Sequence, residues 1–102
     1  MRLTPAQLDI IRTLVAEQFG KSSHVWLFGS RVDDTKRGGD IDLYIEPEET
    51  DLNKLVDAKL HFLMRLHQAL GEQKIDVVIR PKQTTDELPI YQIAKSTGVA
   101  LA

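Results

Sequence analysis

Leu27-Phe28-Gly29-Ser30-Arg31 ends one short apolar run, and Gly38-Gly39-Asp40-Ile41-Asp42-Leu43 begins the next after a polar loop. His24 to Phe28 is bounded by polar residues and Gly29, which predicts a first strand. Asp34 to Gly39 is loop by composition. Asp40 to Glu46 then alternates with period two until Pro47 closes it, which predicts a second strand with unlike faces. Side chains at i and i+2 share a face, so Asp40 and Asp42 should stand together, ~7 Å apart at their α-carbons, with Ile41, Leu43 and Ile45 turned the other way. A glycine turn leaving one strand beside two carboxylates on the next suits a site that holds phosphates next to a divalent cation.

Working outward, Thr4 with Pro5 and Gln7 forms a capping-box start, and Leu8, Ile11, Leu14, Val15 and Phe19 follow at helical spacing before Gly20. A longer helix is predicted from Thr50 or Asp51 to about Leu70. Its apolar stripe is read as Leu52, Leu55, Val56, Leu60, Leu63, His67 and Leu70. Phe62 and Leu66 lie off that stripe, free either to pack on the protein's own body or to meet a partner. Lys74 to Arg80 alternates as a third strand, with Asp76 opposite Ile75 and Val77, and Pro81 stops it. A last helix is expected from near Asp86 to Ser96, with Ile90, Ile93 and Ala94 inward, Pro89 in its first turn and Gly98 after it. The expected fold class is α/β (α+β), in the order α-β-β-α-β-α: a small mixed sheet with helices packed on one face, in a single domain over residues 1–102.

The composition is that of an ordinary globular chain, 42% hydrophobic and 27% charged, which argues against disorder. A formal charge of -2 lacks the basic excess of a protein that grips nucleic acid through its phosphates, so no direct nucleic-acid partner is expected. The absence of cysteine excludes disulfides, thiolate metal ligands and a thiol nucleophile. No apolar run approaches the ~20 residues that cross a bilayer, and the amino terminus does not read as a signal peptide. A cytoplasmic location with no membrane partner is the expectation.

If the second and third strands are neighbours, Asp40, Asp42 and Asp76 converge. Carboxylates so close repel, and one takes up a proton unless a cation holds them. Magnesium favours one or two carboxylates together with water and substrate phosphate. Two such ions ~3.5 to 4 Å apart could clamp the attacking and leaving oxygens of an in-line displacement. Gly29 lets the backbone approach a phosphate, Ser30 adds a hydroxyl donor, and Arg31, Lys36 and Arg37 could neutralise charge nearby. Trp26 and Phe28 are candidates for core or site wall, and Tyr44, on the carboxylate face, for packing or for bordering a nucleotide. His24, His61 and His67 carry little chemical weight.

Gly29-Ser30, the short spacer, Asp40-Ile41-Asp42-Leu43 and Asp76 in Lys74-Ile75-Asp76-Val77-Val78 together resemble the signature of the polymerase beta-like nucleotidyltransferase superfamily. The short chain is similar to its minimal nucleotidyltransferases, the MNT group. The resemblance implies a magnesium site at Asp40, Asp42 and Asp76, which are also the catalytic residues. Asp40 and Asp42 would bridge two ions, and Asp76 would complete the shell of the one that activates the acceptor hydroxyl. It implies ATP as substrate, with nucleotide-binding residues Gly29, Ser30, Arg31 and Gly39. Where many relatives carry a second basic residue soon after the arginine, this chain has Val32-Asp33-Asp34.

Minimal members are commonly antitoxins paired with a HEPN-domain ribonuclease toxin. By resemblance, the chain would move AMP from ATP to a hydroxyl of that toxin, a tyrosine, within a hetero-oligomer. One alternative is an antitoxin that neutralises by binding without chemistry. Another is an adenylyltransferase for a small acceptor of the aminoglycoside type, though such relatives usually carry an added helical domain.

Overall fold

The computed structural model describes residues 3–29, 40–71 and 73–102. The first helix, α1, spans Pro5–Phe19, and its start is the expected capping box. Thr4 Oγ1 accepts from the Gln7 amide at 3.1 Å, while Gln7 Oε1 accepts from the Thr4 amide at 3.0 Å. Two donors that a helix start leaves orphaned are thereby satisfied. Strand β1 is His24–Phe28, β2 is Ile41–Glu46 and β3 is Ile75–Ile79. Helix α2, Leu52–Leu70, is capped by Asp51, whose carboxylate accepts from the Asn53 and Lys54 amides.

The sheet order is β3-β2-β1-β4, with β1 antiparallel to β2 and β2 parallel to β3. A parallel pair needs a long crossover, and α2 supplies it. Helix α3, Pro89–Thr97, is followed by β4, Val99–Ala100, an edge strand beyond the expected order. Two residues are too few to register as a periodic pattern, but the backbone beyond them is well held. Leu101 donates its amide to the Val25 carbonyl at 2.8 Å, and Arg12 Nε donates to the Leu101 carbonyl at 2.6 Å.

Alternation gives the sheet two unlike faces. Val25, Leu27, Ile41, Leu43, Ile45, Ile75 and Val77 share the main core with residues of α1 and α2. The two long helices therefore back one face, as expected. The shorter α3 packs instead on the other face, where Phe28, Tyr44, Tyr91 and Ala94 form a second cluster. On α3 it is Tyr91 and Ala94 that turn inward, while Ile93, expected inward, is exposed.

The larger correction concerns α2. Its buried side chains are Leu55, Ala58, Phe62 and Leu66, so the two residues read as off-stripe are central to the core. Leu52, Val56, Leu60 and His67, read as inward, are exposed. Apolar side chains occupy two adjoining arcs of this helix, and its own body has room for one. The Phe62 ring meets Phe19 of α1 edge-on at 5.3 Å, which fixes the arc that turns in.

Candidate active site

Asp40 precedes β2, Asp42 is its second residue and Asp76 the second of β3, so the expected strand adjacency decides whether the three converge. Asp42 and Asp76 are register partners across the parallel pair, on the face opposite the main core. Neighbouring strands lie ~4.8 Å apart, which puts these two carboxylates side by side. The Ile41 amide donates to the Lys74 carbonyl at 3.0 Å, so the segment carrying Asp40 is pinned against the segment entering β3.

On the other side, Phe28 of β1 is the partner of Asp42. The chain then turns at Gly29 with φ of 76°, in the left-handed region that favours glycine. A β-carbon there would collide with Asp42 Oδ2 and come within 3.1 Å of its Cγ. Glycine is required twice over, for the turn and for backbone contact with the carboxylate. Ser30, Arg31 and Gly39, together with Lys36 and Arg37, lie outside the described residues.

Electrostatics follow from this crowding. Burial pushes the Asp42 carboxyl above the usual carboxylate range, and the charges of Asp76 and Asp40 push it further, as does a side-chain hydrogen bond with Asp76. Lys74 pulls in the opposite direction. Its ammonium lies 3.6 Å from Asp40, and both groups are exposed. Sequence reasoning missed Lys74 as a member of the site, although a cation two residues before Asp76 was the available signal. Among the described residues, no three acidic or histidine side chains close into a ready-made metal cage. Magnesium does not ask for one, since it keeps water and phosphate among its ligands.

Further along the same face the site has a wall. Tyr44 is fully buried, its hydroxyl donating to Glu46 Oε2 at 2.7 Å, and its ring lies 5.3 Å from Trp26 and 5.8 Å from Tyr91. Burial and the Glu46 contact push the Tyr44 hydroxyl up to about 12. Tyr44 is thus a packing residue, as is Phe28. Lys95 of α3 spans the partly exposed Trp26 ring at 5.1 Å and reaches Glu46 at 3.3 Å. Helix α3 and this aromatic layer cover the part of the face beyond the aspartates.

The family described as Polymerase beta, Nucleotidyltransferase matches residues 10–101. No curated protein matches the chain in sequence. Three solved structures are similar in fold. One holds a tri-AMPylated Shewanella oneidensis HEPN toxin in complex with MNT antitoxin; the match has 22% identity and a TM-score of 0.66, and covers 95% of this chain and 70% of that one. Another is a mutant of the toxin-antitoxin MntA-HpeT, at 21% identity and a TM-score of 0.69, with 93% and 71% covered. The third is a toxin-antitoxin with AMP-PNP, at 24% identity and a TM-score of 0.70, with 93% and 72% covered.

Proposed function

The chain belongs to this nucleotidyltransferase family, and from that premise we propose that it transfers AMP from ATP to a tyrosine hydroxyl of a HEPN-type ribonuclease, acting as that toxin's antitoxin. The observation that carries the reading is the side-by-side placement of Asp42 and Asp76, with the bare α-carbon of Gly29 against the Asp42 carboxylate. The solved relatives supply the biological context, since one holds an AMPylated HEPN toxin with its antitoxin and another an ATP analogue.

Asp40, Asp42 and Asp76 are the residues that would hold magnesium, as two ions. The donor set fits: hard oxygen ligands, mutually repelling, with the Asp42 carboxyl pushed up by burial and by the charges of Asp76 and Asp40. Bound there, the metal would supply counter-charge to the three carboxylates and polarise the phosphate oxygens. The turn at Gly29, with Ser30, Arg31 and Gly39, binds the triphosphate. Asp76 is exposed and lies on an outer strand where an acceptor can approach. In the transfer, the acceptor oxygen bonds to the α-phosphorus, the bond from that phosphorus to the bridging oxygen breaks, and pyrophosphate leaves. The hydroxyl proton passes to the Asp76 carboxylate.

None of the described helices is long and apolar enough to cross a membrane, and an ATP-dependent reaction on a ribonuclease belongs in the cytoplasm. The test is mass spectrometry of the co-expressed HEPN protein. Whole AMP units on a tyrosine are the expected result. An unmodified toxin that is nevertheless neutralised would replace this reading with neutralisation by binding alone.

A further inference from the structure

Only one of the two apolar arcs of α2 is used by the fold. The other consists of Leu52, Val56, Leu60 and Met64, which follow at i+4 spacing and remain 54, 69, 58 and 50% exposed. A single exposed leucine needs no explanation, whereas a contiguous row does. Four of the six exposed large hydrophobics among the described residues belong to this row. Twelve residue steps at 1.5 Å make it ~18 Å long. Its first turns border a shallow groove of about 220 Å³ whose far bank is Ile79 and Pro81. The row therefore continues onto β3, an edge strand of the sheet among the described residues. Asp76 lies on that same strand, ~10 Å from Ile79 by the strand rise.

We propose that this row and groove seat the protein whose hydroxyl is modified, and that the partner meets them with an apolar ridge that sets an acidic side chain against Lys59 at the groove margin. The inference rests on the adenylyl-transfer reading above. Charge, symmetry and area select this occupant over a second copy of the chain. Lys59, exposed on α2, lines the groove, whereas Lys54 and Arg65 lie ~120° and ~140° round the helix from Leu60, so the groove margin of the row is its positive one. At 100° per residue, Lys59 and Asp57 flank the row on opposite margins. In an antiparallel pairing about a two-fold axis at Ala58, each margin meets its own equivalent, Lys59 against Lys59 and Asp57 against Asp57. Such a pairing brings like charges together. A strip ~18 Å by ~10 Å also falls well short of the ~800 Å² per partner of a stable interface. A partner that wraps round the β3 edge, from the α2 face to the carboxylate face, adds the missing area.

The test compares the native full chain with Val56→Glu/Leu60→Glu, using calorimetric titration against the HEPN-type partner protein. In parallel, label transfer from ATP is followed at low and high HEPN concentration. The variant should keep the native circular dichroism and its affinity for a non-hydrolysable ATP analogue. It should bind the HEPN protein roughly tenfold or more weakly, with transfer lost at low partner concentration and restored at high. Val56→Ser/Leu60→Ser, which adds no charge to the helix, should weaken binding in the same direction, and so should Lys59→Glu. Unchanged affinity in the glutamate variant, with transfer intact, overturns the docking surface and leaves the reaction standing. A native chain that binds the HEPN protein through this row but never labels it overturns the transfer reading instead. A native homodimer that Val56→Glu converts to monomer overturns the choice of partner.

Discussion

Gly29 stands with a positive φ and a bare α-carbon against the Asp42 carboxylate, so two separate demands exclude any side chain there. Gly29→Ala should cost about 1–2 kcal/mol in urea unfolding from the backbone conformation alone, and should reduce transfer further by displacing Asp42. Retention of native stability and activity would contradict the contact. Asp42 makes a second prediction through its proton. Its folded-state pKa is raised, so its contribution to stability is present at acid pH and is lost as pH rises through that raised value. At neutral pH without divalent cations, Asp42→Asn should therefore raise Tm by a few degrees, while magnesium should raise the Tm of the native chain and not of the variant. A lower Tm for the variant in chelator would contradict the electrostatic account. These residues were legible in the sequence because strand alternation places carboxylates by register. Lys74 was less so, because a cation's partner depends on which segments lie side by side.

Helix α2 separates what periodicity can tell from what it cannot. Its existence, its Asp51 cap and its end at Gly71 follow from local signals. Its inward face does not, because apolar side chains fill two adjoining arcs, and only the position of α1 and the sheet selects Phe62 and Leu66 over Leu60 and Val56. Phe62→Ala should accordingly destabilise the chain by about 3–5 kcal/mol in denaturant unfolding, and Leu60→Ser by no more than about 0.5 kcal/mol. The reverse order would restore the stripe first read from the sequence. Strand β4 escaped notice for a different reason: pairing with β1 makes it a strand, and two residues carry no pattern of their own. The facing of α3 escaped too, since Tyr91 finds its partner in Tyr44 across the sheet.

For the molecule as a whole, the consequence is a sheet whose two faces do different work. One face, under α1 and α2, holds the main core. The other is covered by α3 and its aromatic layer beyond the aspartates, and carries the carboxylate row beside Gly29. The strand order that makes Asp42 and Asp76 neighbours could be stated from the sequence only as a condition, and the parallel β2/β3 pairing meets it. The most direct test of the central claim follows ATP labelled at its α-phosphate, incubated with magnesium, the HEPN protein and either the native chain or Asp42→Asn. The native chain should place the label on the HEPN protein, and the variant should do so at least about a hundredfold more slowly, the loss expected when several kcal/mol of metal-assisted charge stabilisation is removed. Label transferred at the native rate by Asp42→Asn would contradict the account.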